Sequence, residues 1–296
     1  MKNISVNDFK ATAPIRLSEL PTSLDLDITK KEKIKALKHV RRKLAKKQDI
    51  MYAHSRYGVL VGLQGMDTSG KDSLIREVFK AFNPRGVIVH SFKTPNSKEL
   101  KHDYLWRHYR TLPEKGKFSV FNRTHYENVL VTRVNKHFLL NEHIPGVDKV
   151  EDLPADFWDK RFEQIINFEK HISQNGVIVM KFFLHLSKEE QRRRLIRRLV
   201  NEKHNWKFTP SDLAERALWD DYQICYEEAI NRTSTPNAPW YVIPADDKPT
   251  ARYIVARIIF EELNQYTDIR EPELDPAIME NLEMYKKRLR VEEGED

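Results

Sequence analysis

Apolar residues along this chain fall into short unbroken runs, separated by longer stretches in which they recur every three or four positions. The runs "GVLVGL" (58–63), "GVIVHSF" (86–92), "FSVFN" (118–122), "GVIVMKFFLHL" (176–186) and "PWYVIPA" (239–245) read as strands. A strand covered on both faces loses the two-residue alternation of a half-exposed one. Between the runs the spacing predicts helices over about 70–82, 97–111, 125–140, 157–173, 188–201 and 212–232. Alternating strands and helices predict an α/β fold, with a five-stranded, mostly parallel sheet between layers of helices. No internal repeat or low-complexity segment interrupts the pattern.

Before the first strand, Thr29 and Glu32 form a capping-box pattern at the head of a helix, "KKEKIKALKHVRRKLAKKQDI". Ile34, Leu37, Val40 and Leu44 supply its expected apolar face, and ten Lys or Arg lie between Lys30 and Lys47. Those charges read as a solvated face or as a landing strip for a polyanion. Residues 1–55 are read as an extension belonging to the same unit as a main domain over 56–268, which carries a lid at about 187–210. Residues 269–296 read as a peripheral helix and the acidic tail "RVEEGED".

Composition narrows the partners. The 296 residues are 40% hydrophobic, enough for a full core, and 51 basic against 44 acidic residues give a formal net charge of +7. That balance favours anionic ligands without choosing among them. A single cysteine, Cys225, excludes an internal disulfide framework and a cysteine-built zinc site. The first residues lack the apolar core of a signal peptide, and no apolar run is long enough to span a bilayer. A cytoplasmic location and no membrane partner are expected.

Within "VLVGLQGMDTSGKDSL" (59–74), Gly65, Gly70 and Lys71 have phosphate-loop spacing, after a strand and before a helix, as the motif requires. The helix N-terminus adds free N–H groups and its dipole. Gly65, Ser69, Gly70, Lys71, Asp72 and Ser73 are therefore the phosphate-binding candidates. Asp72 stands where Ser or Thr is usual, and Asp67 lies inside the loop. Carboxylates beside phosphates make sense when a cation accompanies the cargo. Asp67 is the leading Mg²⁺ ligand, whereas Asp72 serves as a ligand or as a partner of the helix dipole.

The third strand ends in "FNRTHYE" (121–127), where an acidic magnesium residue is common in phosphate-loop enzymes. Asn122 occupies that position, so metal duty is expected to shift to Asp67 and Glu127. Arg123, at the carboxyl end of a strand, faces the ligand crevice. Farther on, "SKEEQRRRLIRRLV" (187–200) places Leu195, Ile196 and Leu199 together on a helix, with Arg193, Arg194, Arg197 and Arg198 opposite and Arg192 toward the apolar side. Such an arc suits an anion-gripping lid. His125 reads as structural, and Trp106 and Trp219 as core anchors.

Together with "FKTPNSKELKHDYLWRHYRTLP" (92–113), "FWDKRFEQIINFEKHI" (157–172), "NWKFTPSDLAERALWDDY" (205–222) and "PWYVIPADDK" (239–248), these motifs resemble the polyphosphate kinase 2 family over roughly residues 30–265. Asn122, His125 and Glu127 are similar to the class III subgroup, which phosphorylates nucleoside mono- and diphosphates. Other subgroups carry "DRS" at this point, from which Asn122 departs. The resemblance implies a thymidylate-kinase-like sandwich with a helical lid, phosphate and metal roles for Asp67, Lys71 and Asp72, and phosphate-gripping roles for Arg123 and Arg194. It further implies Mg²⁺, inorganic polyphosphate and adenine nucleotides as cofactor and substrates, with guanine nucleotides as second candidates. A homo-oligomer and no nucleic-acid partner are expected. An ATP-dependent kinase of the same fold, and more distantly a nucleic-acid-binding ATPase using the basic helix, are the alternative readings.

Overall fold

A computed structural model of the chain describes residues 4–12, 14–202 and 205–292. Five parallel strands, β1 (Gly58–Gln64), β2 (Val87–Ser91), β3 (Phe118–Asn122), β4 (Val177–His185) and β5 (Trp240–Pro244), form one sheet in the order β2-β3-β1-β4-β5. The expected sheet is present, and all of its pairings are parallel. Every residue of β1 is buried, which explains its unbroken apolar run.

One face of the sheet is covered by α1 (Lys30–His54), α2 (Lys71–Val78) and α9 (Lys248–Asn264), around Val59, Val61, Leu63, Phe182 and Ile243. The other carries α5 (Phe157–Gln174) and α8 (Trp219–Thr233), around Phe162, Phe183, Trp219 and Trp240. The capping box of α1 forms, with Thr29 Oγ1 accepting from the Glu32 N–H. Its apolar face is narrower than expected: Leu37, Val40 and Leu44 are buried, whereas Ile34 stays 52% exposed.

Several expected helices break. In place of one helix at 97–111 there is a 3₁₀ turn and α3 (Trp106–Tyr109). The stretch 125–140 contains 3₁₀ turns around α4 (Val131–Val134). The stretch 212–232 divides at Leu218 into α7 (Pro210–Ala217) and α8. The pattern does not single out α9, because apolar side chains such as Tyr253, Ile254, Val255, Ile258 and Ile259 are buried around most of its circumference. Such a helix has almost no amphipathic period. Beyond it lie α10 (Pro276–Glu280) and α11 (Leu282–Glu292); residues 293–296 of the acidic tail lie outside the described residues.

The sheet's two edges differ. The N-terminal arm runs antiparallel beside β5, pairing Lys10 with Tyr241, and the Ala11 N–H donates to the Trp240 carbonyl at 2.9 Å. Asn231 holds the same arm, accepting from the Ile15 N–H at 2.7 Å and donating to the Ile15 carbonyl at 2.9 Å. At the opposite edge, β2 presents Ile88 and Val89, both nearly half exposed. No helix among the described residues is long and apolar enough to cross a membrane.

Candidate active site

The parallel sheet brings the carboxyl ends of β1, β3, β4 and β5 to one side, where open α/β sheets place their ligands. The turn between β1 and α2 is shaped by Gly65 at φ +151°, Thr68 at +65° and Gly70 at +108°. A Cβ on Gly65 would lie 3.0 Å from the Leu184 carbonyl oxygen, so only glycine lets the turn pass so close to β4. Lys71 opens α2, and its Nζ donates to the carbonyls of Gly65 (2.6 Å) and Met66 (3.3 Å). Burial, followed by the neighbouring Arg123 charge, lowers its pKa to about 8. Ser73 Oγ donates to the Gly70 carbonyl at 3.0 Å. The buried hydroxyls of Thr68 and Ser69 have no hydrogen-bond partner among the described residues, as expected of groups aimed at a ligand.

Arg123 joins this turn to the one after β3. Its backbone is left-handed, at φ +64°. One terminal nitrogen lies 2.9 Å from Asp67 Oδ1 and the other 3.0 Å from Glu127 Oε2. Asn122 Nδ2 donates to Asp72 Oδ1 at 2.7 Å, while Asn122 Oδ1 is buried without a partner. Asp67, Asp72, Asn122, Arg123 and Glu127, all named from the sequence, thus lie in one linked group. Three carboxylates beside a phosphate cradle, with an unsatisfied amide oxygen among them, are oxygen donors of the kind a hard divalent cation takes, directly or through water. Among the described residues no three such side chains converge on one point, so the donors present suit an ion held jointly with phosphate oxygens and water.

The arginine arc is different from the expected one. On α6 (Lys188–Val200), Leu195 is buried, but Ile196 and Leu199 are 45% and 50% exposed and Arg194 is 4% exposed. The five N–H donors of Arg194 meet five acceptors. Nε donates to Glu190, Nη1 to the carbonyls of Thr68 and Ser69, and Nη2 to those of Ala245 and Asp246, at 2.7–3.0 Å. No donor is left for a substrate, so Arg194 clamps the phosphate loop to the end of β5 instead of gripping phosphate. The arc is also not uncompensated. Arg192 and Arg193 pair with Glu189, Arg197 pairs with Glu190, and Arg198 pairs with Asp212. Arg192 lies on the exposed side, contrary to the expected orientation. Residues 203 and 204 of the expected lid lie outside the described residues.

Sequence reasoning gave no role to two residues beside the loop. Lys248 Cε would be 3.7 Å from a Cβ placed on Gly70, and burial, then Arg194, lowers its pKa to about 8. Gln191 Nε2 donates to the Asp67 carbonyl at 3.2 Å. The "DDK" stretch was the available signal for Lys248; nothing in the pattern marked Gln191. Beyond Arg123 opens a cleft of about 140 Å³ lined by Phe92, Lys93, Arg107, Glu127, Asn128 and Phe138 among others. A larger cavity of about 230 Å³ lies under the N-terminal arm, mostly apolar and away from the loop. Trp219 is buried, as expected of an anchor, and Trp106 is half-buried, stacked on His102.

Known proteins share both sequence and fold. The family model described as polyphosphate kinase 2 matches residues 27–271. An ADP-polyphosphate phosphotransferase of Rhodopseudomonas palustris is 42% identical over 93% of this chain and 94% of its own length. An AMP/ADP-polyphosphate phosphotransferase of Meiothermus ruber is 45% identical over 79% of this chain and 82% of its own. The crystal structure of polyphosphate kinase 2 from Arthrobacter aurescens TC1 superposes with a TM-score of 0.84 at 31% identity, covering 95% of this chain and 97% of that one. With a phosphate loop on the central strand of a five-stranded parallel sheet, and a family match across most of its length, the chain belongs to the polyphosphate kinase 2 family.

Proposed function

We propose that the protein transfers phosphoryl groups from inorganic polyphosphate to AMP and to ADP, with Mg²⁺ as its metal, in the manner of the class III subgroup. The observation that carries this reading is the joining of the phosphate loop to Arg123, Asp67 and Glu127, at the mouth of the cleft lined by Arg107, Glu127 and Asn128. Both relatives described above carry polyphosphate phosphotransferase names, and one name includes AMP and ADP.

Lys71 and the loop N–H groups hold the terminal phosphates of the donor. Arg123 lies between the loop and the cleft, where it meets charge on the transferred group. An oxygen of the acceptor's terminal phosphate attacks the terminal phosphorus of polyphosphate. The bond to the bridging oxygen breaks, and the donor leaves one phosphate shorter. The attacking oxygen is already ionised at neutral pH, since the second pKa of a phosphate is about 6, so no general base is needed. Asp67, with Asp72 and Glu127 beside it, would hold Mg²⁺ jointly with phosphate oxygens, and the ion would supply charge that neutralises them. Arg193 and Arg198 lie farther out on α6, where they can meet the donor chain once released from their carboxylates.

The test supplies AMP, Mg²⁺ and long-chain polyphosphate without any nucleoside triphosphate. ADP is expected first and ATP after it. Phosphorylation of ADP with AMP inert would restrict the protein to diphosphates. Inert AMP and ADP, with ATP serving as donor to another acceptor, would establish the ATP-dependent alternative. Self-association and the lack of a nucleic-acid partner belong to the same reading, and light scattering and single-stranded DNA binding test them.

A further inference from the structure

Behind Arg123 lies a polar network sealed from solvent. Lys181, on β4, and Glu169, on α5, are 2% and 1% exposed and form an ion pair of 2.6 Å. Lys181 Nζ also donates to Tyr126 Oη and to the Thr233 carbonyl, both at 2.8 Å. The second carboxylate oxygen of Glu169 lies 3.1 Å from His125 Nε2 and 2.9 Å from Tyr126 Oη. Trp240 Nε1, at the start of β5, donates to Thr233 Oγ1, which lies 2.8 Å from Tyr126 Oη. Burial opposes the charge on Glu169, yet Lys181 and then His125 hold its carboxyl below the ordinary range.

Such a network needs a reason other than stability. A buried ion pair loses so much hydration that apolar replacement of both partners is often neutral or stabilising. Its location supplies the reason. His125 and Tyr126 directly follow Arg123 and Thr124, and Arg123 holds a left-handed backbone that costs a non-glycine residue roughly 1–3 kcal/mol. Such a conformation persists only where its surroundings enforce it. In front, the Arg123 N–H donates to the Leu63 carbonyl at 3.1 Å. Behind, Thr124 Oγ1 accepts from Gln64 Nε2 and from the Tyr126 N–H, each at 3.1 Å. Gly62 leaves room for this packing: a Cβ there would meet the Thr124 methyl at 3.1 Å.

We propose that Lys181, Glu169, His125 and Tyr126 are positioning residues, which lock the backbone of Arg123 so that its guanidinium spans Asp67 and Glu127. None of them reaches the phosphate loop. The proposal rests on the phosphoryl-transfer reading for its kinetic consequence, but its structural part is testable without catalysis.

The kinetic test is a double-mutant cycle between Tyr126→Phe, which removes a single hydroxyl, and Arg123→Ala, assayed by single turnover with labelled polyphosphate. Tyr126→Phe is expected to lower kcat about tenfold, as small misplacements of a catalytic group do, with KM for ADP within twofold. In the Arg123→Ala background the same change should cost less than about twofold. An unchanged kcat in folded Tyr126→Phe, or its full effect persisting without Arg123, overturns the proposal. Glu169→Gln and the paired Lys181→Met/Glu169→Gln are followed by amide hydrogen exchange of the segment 122–128, which reports whether or not polyphosphate is the donor. Exchange there should quicken while that of β1 stays the same. Unchanged exchange in 122–128, or equal quickening everywhere, overturns the proposal as well. Wild-type protein inert with polyphosphate would instead overturn the functional reading.

Discussion

Arg123 and Asp67, 56 residues apart in the chain, meet at 2.9 Å between the turn after β1 and the turn after β3. Both side chains keep about a third of their surface in solvent, so the pair is worth no more than about 1 kcal/mol. A contact this weak is readily exchanged for stronger ones when phosphate and metal arrive. On the proposed function, the arrangement keeps two opposite charges beside the transferred group, with little energy holding them together.

Replacing Asp67 by Asn preserves the shape of the side chain and removes its charge. Turnover should fall by roughly 10²–10³, the usual scale for losing one preorganised electrostatic contact, and the Mg²⁺ concentration for half-maximal rate should rise. Asp72→Asn should shift the Mg²⁺ requirement in the same direction but by less, because Asp72 also complements the N-terminus of α2. Wild-type Mg²⁺ dependence in Asp67→Asn would remove Asp67 from the metal site.

Arg192 and Arg194, two positions apart, should behave in opposite ways. Arg194→Ala strands four backbone carbonyls and Glu190, and a buried charge partner lost in this way costs about 3–5 kcal/mol. Urea unfolding should show that loss, and activity should fall with the disordered loop. Arg192→Ala, at an exposed pair with Glu189, should stay within about 0.5 kcal/mol of wild type. Equal stability of the two variants would contradict the clamp.

Lys71, with a pKa of about 8, predicts a pH dependence of donor binding. A phosphate oxygen beside it favours the charged form, so its pKa is higher in the complex than in the free protein. Below about pH 8 the lysine is charged in both states and the polyphosphate KM should be flat. Above that value binding must take up a proton, and KM should climb toward tenfold per pH unit until the pKa of the complex is reached. If Lys248, also near 8, meets the donor too, a second proton is taken up and the climb steepens toward a hundredfold per pH unit. A KM constant through this range would show that neither lysine faces the donor.

The two loop glycines should respond unequally to alanine. At Gly65 the new methyl would meet the Leu184 carbonyl at 3.0 Å and Leu184 Cβ at 3.1 Å, on top of an unfavourable φ. At Gly70 the nearest atom would be 3.6 Å away, leaving only the conformational strain. Thermal unfolding and polyphosphate binding should therefore suffer more in Gly65→Ala than in Gly70→Ala.

The strands were legible because burial on both faces leaves an unbroken apolar run, and each observed strand lies within two residues of its run. Asp67, Lys71 and Asp72 were legible because a phosphate loop is local: its glycines, lysine and helix start lie within eight residues. Arg194 was misread because four of its five acceptors are backbone carbonyls, which every sequence supplies and no pattern marks. The break at 125–140 was hidden for a related reason. Thr124 and His125 serve partners on β1 and α5, and those tertiary contacts override helical spacing.

The arm beside β5 and the bare flank of β2 also govern how copies of this chain can add to one another. A sheet grows by addition at an unpaired strand, and an assembly without end needs two such strands per molecule. Here Lys10 and Ala11 occupy part of one side, while Ile88 and Val89 lie open on the other. Two molecules meeting through β2 would use up both open sides at once. The arm thus leaves β5 less open than β2 to a strand from another copy, which makes the β2 flank the readier place for strand-to-strand joining.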